Sequence, residues 1–200
     1  YKVMENIQTY WGLEPRVALT YQLLPTTSLE LGYHRIHQYL HLLSNSTAAA
    51  PNDVWIPSTN NVKPQIADQI SLGVKQSLFN DQLNIGLEGY YKYLQNQVDY
   101  ENGADILLNT RIESQILNGV GWSYGAELFV QGKIGDFNGW ISYTLSRTAY
   151  QFAEINRGKP YAARQDRTHD IAIVGTYELK KRWVFSLSWI YQTGNAVTFP

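Results

Sequence analysis

The feature that most constrains this chain is a repeated alternation of large apolar residues with smaller, mostly polar ones. Residues 183–192 show it most clearly. Their odd-numbered positions carry Trp183, Phe185, Leu187, Trp189 and Tyr191. A period of two is typical of a β-strand, in which successive side chains point to opposite faces. This stretch therefore predicts a strand with one wholly apolar face, and the fold must give that face something to contact.

The same alternation recurs along the chain and predicts about eight strands in all. The other segments are residues 13–23, 27–43, 68–79, 83–94, 121–133, 137–146 and 169–179. The alternation loses its phase near Arg35, and Phe129 lies on the otherwise polar face of its segment. No segment has a convincing helical period. The sequence thus predicts an all-β fold.

The connections between these segments alternate in length. Short turns are predicted at Pro25-Thr26, at residues 80–82, at Gly135-Asp136 and at Lys180-Lys181. Long polar links are predicted at Ser44–Ile66, Glu101–Asn118 and Gln151–Thr168. Transmembrane β-barrels have this asymmetry, with short turns on the periplasmic side and long loops outside. Most runs also reach the length of about 9–11 residues that a tilted membrane strand needs. We therefore predict an antiparallel, up-and-down segment of a transmembrane β-barrel.

This prediction gives each face a partner. The apolar face, including Trp183, Phe185, Leu187, Trp189 and Tyr191, is expected to contact lipid. The polar face is expected to line the lumen, because charges are costly in hydrocarbon. Its charged members are Glu14, Arg16, Glu30, Lys75, Glu88, Lys92, Glu127 and Glu178. Pairing with one another, or with protein packed inside the barrel, is their expected role, and direct substrate contact is the alternative.

Two other arrangements share the alternation. A soluble β-sandwich or lipocalin-like barrel would point the apolar face inward, but so many Trp, Tyr, Phe and Leu side chains would overfill a small barrel. Eight strands could also close a small membrane barrel by themselves. Because the chain starts and stops within loop-like sequence, we expect an internal segment of a larger barrel, with its first and last strands as open edges.

Composition excludes several kinds of site. The chain has no cysteine, which rules out disulfides, thiolate metal sites and a cysteine nucleophile. Its net charge of −1 gives no reason to expect a nucleic-acid partner. Of the closely spaced histidines, only His37 and His41 could share a strand face, and they lie too far apart along it for one ion. No spacing of Ser, His and Asp singles out a catalytic set. We predict no metal, no cofactor and no enzyme.

The long loops carry the best candidates for ligand binding. They combine aromatic surface with hydrogen-bonding cations, which suits ligand capture at the outer mouth of a barrel. The candidates are Trp55, Tyr100, Tyr150, Phe152, Arg157, Tyr161 and Arg164. The alternative is that the aromatic residues pack the loops together.

Several stretches resemble the C-terminal barrel region of TonB-dependent outer-membrane receptors. They are residues 13–23, 121–148 and 158–200 and, more loosely, 54–76. The strand–turn–strand in residues 121–148 is similar to a recurrent receptor element. The run from Gly158 to Pro200 is the most specific, and it is most similar to receptors with an N-terminal carboxypeptidase-regulatory-like extension.

The resemblance implies a 22-stranded barrel with an N-terminal plug domain, in the outer membrane of a Gram-negative bacterium. It implies energy-coupled uptake of a scarce ligand such as a siderophore, cobalamin or glycan. The implied partners are outer-membrane lipid, the TonB complex acting through the plug region, the small-molecule or oligosaccharide ligand and, as a further candidate, a surface lipoprotein. Residues 1–200 show neither plug nor TonB box, so we expect a partial barrel. The runner-up is a small structural barrel or adhesin of the outer membrane, ahead of a soluble lipocalin-like binder.

Overall fold

Eight long strands form one antiparallel sheet in sequential order. The structure is a computed structural model, and it describes residues 8–44, 53–100, 112–180 and 182–195. The long strands are β1 (Arg16–Leu24), β2 (Thr27–Gln38), β5 (Gln65–Leu78), β6 (Leu83–Tyr100), β7 (Ile116–Ile134), β8 (Phe137–Gln151), β10 (His169–Leu179) and β11 (Trp183–Gln192). Every neighbouring pair is antiparallel, which confirms the up-and-down meander.

The connections differ at the two ends of the sheet, as the sequence predicts. Tight turns join β1 to β2, β5 to β6, β7 to β8 and β10 to β11. Left-handed backbone helps to close them, at Asn80 (φ 55°), Asp81 (φ 65°) and Gly135 (φ 58°), residue types that tolerate this conformation. The long connections follow β2, β6 and β8. They therefore gather at the opposite end of the sheet, which we call the long-loop end.

Side chains sort into two faces across the whole width of the sheet. One cross-strand row is apolar in all eight strands, namely Tyr21, Leu29, Val74, Leu87, Leu128, Tyr143, Ile171 and Tyr191. The adjacent row on the other face is Thr20, Glu30, Gly73, Glu88, Glu127, Thr144, Asp170 and Gln192. The register thus keeps one face apolar and the other polar, because a slip of one residue would exchange them.

The apolar face is not covered by any other part of the described chain. Leu72, Leu187 and Trp183 are 63%, 66% and 67% exposed. The buried apolar residues among those described are Ile56, Val62, Ile116, Phe152 and Ala163, all at the long-loop end. A soluble sandwich or lipocalin-like barrel would bury this face, which stays exposed in the described part of the chain. The sheet has β1 and β11 as its edges and does not close on itself.

The structure also departs from the predicted strand limits. β2 keeps its pairing with β5 through Arg35 to Gln38, where the alternation looked lost. The predicted segment 27–43 is divided between β2 and a separate strand, β3 (Leu40–Ser44), which pairs with β4 (Asp53–Pro57) in the first long link. The third carries the two-residue strand β9 (Tyr161–Ala162), which pairs with β8. Short 3-10 turns occur at Ile112–Gln115 and Asn156–Gly158.

Within the described ranges, no helix is long and apolar enough to span a membrane.

Candidate functional site at the long-loop end

The long-loop end has a small apolar core of its own. Ile56, Val62 and Ile116 form a buried cluster, against which Val98 and Tyr100 pack. These residues come from the hairpin strand β4, the segment before β5, the start of β7 and the end of β6. The first long connection is therefore packed against the ends of β6 and β7. Such packing holds loop side chains in defined positions.

A second core lies in the loop between β8 and β10. Phe152 is 1% exposed, and its ring centre lies 6.4 Å from that of Tyr150 and 6.2 Å from that of Tyr161. A Cβ at Gly119 would lie 2.6 Å from Cδ1 of Phe152. Glycine at this position of β7 therefore makes room for the buried ring.

Tyr161 links this loop to β6. Its hydroxyl donates to Oδ2 of Asp99 at 2.8 Å, and Oδ1 of Asp99 accepts from the backbone N–H of Tyr100 at 2.8 Å. Burial, followed by the hydrogen bond to Asp99, raises the pKa of Tyr161 far above its ordinary value. The phenol therefore stays protonated at neutral pH and acts as a hydrogen-bond donor. Tyr150 accepts a hydrogen bond from Gln165 in the same loop.

The rest of this loop folds back onto β8. Asp166 accepts from the N–H of Thr148 at 2.6 Å, and Ala163 donates to the carbonyl of Thr148 at 2.9 Å. The side chain of Gln151 donates to the carbonyl of Gly158 at 2.7 Å. Arg157 has left-handed backbone, with φ of 56°, and an exposed side chain. The loop is thus an ordered platform that presents the Arg157 side chain outward.

The structure divides the predicted loop residues into two groups. Phe152, Tyr150 and Tyr161 form the aromatic cluster, and Tyr100 packs beside the small core. The exposed side chains are Trp55 in the hairpin and Arg157 and Arg164 in the loop after β8. The geometry favours packing for the first group and leaves the second group accessible to a ligand.

The charged residues of the polar face form local pairs at two places. Glu30 accepts from Nζ of Lys75 at 2.8 Å. Glu14 lies 3.6 Å from Arg16, just before β1. Of the remaining predicted members, Glu88 in β6 faces Glu127 in β7. Lys92 lies between Gln69 and Ser123 of the neighbouring strands, and Glu178 lies opposite Val184. A cavity of about 580 Å³ lies on this face, lined by Glu30, Lys75, Glu88, Glu127 and Phe129 among others.

An ion pair on the apolar face was not singled out from the sequence. Arg35 follows Tyr33 on this face near the long-loop end, and it donates twice to the carboxylate of Asp68, at 2.7 and 3.0 Å. Tyr33 and Gln95 donate to the same carboxylate at 2.8 and 3.0 Å. The pair could not be found from sequence, because Arg35 and Asp68 meet only through the register of β2 and β5.

The predicted lipid-facing residues of β11 are all exposed. Their exposed fractions are 67% for Trp183, 57% for Phe185, 66% for Leu187, 47% for Trp189 and 47% for Tyr191. They continue the apolar rows of β10, where Ile173 faces Trp189 and Ile171 faces Tyr191. The rings of Trp189 and Tyr191 stack with centres 6.3 Å apart. Since β11 is an edge strand, its polar face is exposed as well.

The histidines lie in separate environments. His37 is in β2, whereas His41 is in β3, where it is fully buried with Nε2 2.9 Å from Oγ of Ser58. Nδ1 of His169 lies 2.9 Å from the hydroxyl oxygen of Tyr143. Within the ranges that the structure describes, no group of three or more His, Cys, Asp or Glu could hold a metal ion.

Burial of His41 gives the hairpin a pH dependence. Burial lowers the pKa of His41 below its ordinary value. Because unfolding would let the imidazole take up a proton, the hairpin should be fully stable above about pH 6.5 and lose stability as the pH falls below it. Hydrogen exchange of the β3 and β4 amides at neutral and mildly acidic pH measures this. His41→Gln keeps a donor for Ser58 and should abolish the pH dependence, and its persistence in that variant would contradict the assignment.

A two-faced antiparallel sheet with an exposed apolar face, tight turns at one end and packed loops at the other is typical of the wall of a transmembrane β-barrel. Residues 4–199 match the family model of the TonB-dependent receptor-like β-barrel. The chain therefore belongs to the TonB-dependent receptor family, whose members lie in the outer membrane of Gram-negative bacteria. The expected carboxypeptidase-regulatory-like subtype stays a prediction. A search of curated proteins gave no significant match.

Solved structures with the same fold are outer-membrane receptors. The FpvAI–pyocin S2 complex has a TM-score of 0.62 at 13% identity, over 93% of this chain and 27% of that one. The alcaligin receptor FauA of Bordetella pertussis has a TM-score of 0.59 at 19% sequence identity, and the match covers 90% of this chain and 29% of FauA. The ferripyoverdine receptor of Pseudomonas aeruginosa, bound to ferripyoverdine, has a TM-score of 0.57 at 14% sequence identity, and the match covers 90% of this chain and 26% of that receptor. The chain thus spans less than a third of each, which confirms a segment of a larger barrel.

Proposed function

We propose that this chain forms part of the barrel wall of a transporter that takes up a scarce ligand across the outer membrane, with energy delivered by the TonB complex. The observation that carries the proposal is the family match over residues 4–199. The receptor family is one of transporters, and the proposed role of the chain is correspondingly non-catalytic. A plug region outside residues 1–200 would make the contact with TonB.

Each face of the sheet has its own part in this proposal. The apolar face, with Trp183, Phe185, Leu187, Trp189 and Tyr191 in β11, contacts lipid. The polar face lines the lumen, where water or the plug can solvate charges that hydrocarbon cannot. Its charged side chains are Glu14, Arg16, Glu30, Lys75, Glu88, Lys92, Glu127 and Glu178. The ion pair of Lys75 with Glu30 supports a structural role for part of this set.

The long loops contact the ligand on the extracellular side. Trp55, Arg157 and Arg164 are the exposed members of the predicted set and supply an aromatic surface and two cations. Two of the similar structures are receptors for alcaligin and ferripyoverdine. These ligands make a siderophore the first class to test, ahead of cobalamin and glycans. A surface lipoprotein is a further candidate partner at this end.

An uptake assay tests the proposed function. The gene for the whole receptor is deleted and restored, and uptake of labelled ferric siderophores, cobalamin and oligosaccharides is followed with and without functional TonB. We expect uptake of one ligand to require both the receptor and TonB. Retention of all uptake in the deletion strain, or uptake that does not depend on TonB, would contradict the proposal.

Variants of the loops test the contact residues. Arg157→Gln and Arg164→Gln should each raise the concentration for half-maximal uptake about tenfold, as expected when a charge-assisted hydrogen bond is lost. Lys133→Gln, which removes a cation near the opposite end of β7, is the matched control and should leave uptake unchanged. Equal uptake by all three variants would exclude the two arginines as ligand contacts.

A further inference from the structure

The apolar face contains an open groove near the extracellular side. Gly89 of β6 and Ala126 of β7 lie opposite each other and form its floor. Larger side chains border it, with Leu72 on one side and Leu145 on the other. The groove has a volume of about 790 Å³, within the range of about 300–1,000 Å³ that is usual for sites of small ligands.

No side chain of the described chain fills this groove. A Cβ added at Gly89 would meet only the carbonyl oxygen of Gly125, at 3.9 Å. A second row of small residues on the same face, Gly139 with Gly175, is different. There the ring of Phe137 lies 3.1 and 3.2 Å from the corresponding Cβ positions and covers both glycines. The groove over Gly89 is therefore a gap that the chain leaves to its surroundings.

Arg147 lies at the extracellular end of the groove. It follows Leu145 on the apolar face and is paired across the sheet with Tyr124. Its side chain is exposed, and among the described residues it takes part in none of the ion pairs. Arg35, on the same face, is neutralised by Asp68. An arginine directed at the membrane needs an anion or water, and Arg147 has no carboxylate partner in the described chain.

The position of Arg147 matches the level of lipid headgroups. It lies ten residues beyond Phe137, which begins β8 at the periplasmic turn, a distance of about 33 Å along an extended strand. At a strand tilt of about 40° this gives a height of about 25 Å, the height of the apolar band of outer-membrane barrels. Arg147 thus reaches the outer headgroup layer, and the groove runs below it beside the acyl chains.

We propose that this groove is a binding site for a phosphorylated, multiply acylated glycolipid of the outer leaflet. One acyl chain lies over Gly89 and Ala126, and a phosphate binds the guanidinium of Arg147, whose planar donor set suits phosphate oxygens. Tyr124, the cross-strand neighbour of Arg147, also lines the groove and carries a hydroxyl that can donate to the same group. The inference goes beyond the transported ligand. It rests on two parts of the proposed function, namely an apolar face that points to lipid and a long-loop end on the extracellular side.

Native mass spectrometry of the whole receptor in detergent tests this site. The probes are lipid A with its phosphates, the same lipid A without phosphates, and phosphatidylglycerol. We expect the phosphorylated lipid A to bind about tenfold more tightly than the dephosphorylated form, a factor typical of one charge-assisted contact. Equal binding of the two forms, or equal binding of phosphatidylglycerol, would overturn the assignment.

Two variants connect the binding to the groove. Arg147→Gln should lose the preference for the phosphorylated form, and Gly89→Leu should weaken both forms because its side chain occupies the groove. Lys133→Gln, which removes a cation from the opposite end of β7, should bind as the original protein does. If Gly89→Leu fails to fold, Ala126→Leu fills the same space from the neighbouring strand. Binding unchanged in Arg147→Gln or in the filled variant would overturn the proposal, and uptake measured on the same variants reports separately on the transport function.

Discussion

Arginine in place of Leu128 should sharply reduce the amount of folded receptor in the outer membrane. Leu128 lies at the centre of β7, in the row that is apolar across all eight strands. A cation at the midplane of the lipid-facing surface destabilises outer-membrane barrels by about 2–4 kcal/mol. The free energy of unfolding is measured by urea titration of the whole receptor refolded into lipid vesicles, with heat-dependent gel mobility as the assay of folding.

The matched control is Gln131→Arg, three residues further along the same strand. Gln131 is exposed on the polar face, opposite Asn84 and Trp140. An arginine there can remain solvated, and we expect a change within about 0.5 kcal/mol. If the free energy of unfolding fell as much for Gln131→Arg as for Leu128→Arg, the two faces would not differ in their surroundings and the assignment of lipid and lumen would be wrong.

Phe152→Ala should open the loop between β8 and β10. Phe152 is 1% exposed and lies between Tyr150, Tyr161 and the backbone at Gly119. Removing a buried phenylalanine side chain typically costs about 3–5 kcal/mol. Since Phe152 contacts the loop and not the centre of the sheet, the loss should be local. Limited proteolysis and hydrogen exchange should show rapid cleavage and exchange in residues 152–168, with the strands still protected.

Trp55→Ala is the control for this prediction. Trp55 is an aromatic residue of another long connection, but it is 59% exposed. Its removal should leave the protection of residues 152–168 unchanged. A protected loop in Phe152→Ala, together with weakened ligand uptake, would instead assign Phe152 to ligand contact and contradict the packing role.

The strands could be predicted from the sequence because their signal is local. Each face of a strand contacts a single environment along its length. Every second residue is therefore apolar or polar according to that environment. This is why β11 and the turn between β7 and β8 lie where the alternation places them. The open, uncovered apolar face also follows from that pattern, since the sizes of Trp183, Phe185 and Leu187 disfavour an inward orientation.

The long-loop end could not be predicted to the same degree, because its contacts join residues that are distant in the chain. The hydrogen bond between Tyr161 and Asp99 spans 62 positions, and nothing near either residue indicates the other. The burial of Phe152 depends on a glycine in a different strand, Gly119. Aromatic residues in a loop look alike in sequence whether they pack the loop or face a ligand. Only the fold separates Phe152 from Trp55.

The most direct test of the account is a scan of single cysteines along β7. The chain has no cysteine of its own, so each engineered position in residues 122–131 can carry one spin label in the whole receptor, once any cysteines elsewhere in the receptor have been replaced. Collisions with oxygen, which dissolves in lipid, and with a water-soluble nickel complex then report the surroundings of each position. We expect even-numbered positions such as Leu128 to favour oxygen and odd-numbered positions such as Glu127 to favour nickel. The opposite alternation would contradict the outward orientation of the apolar face.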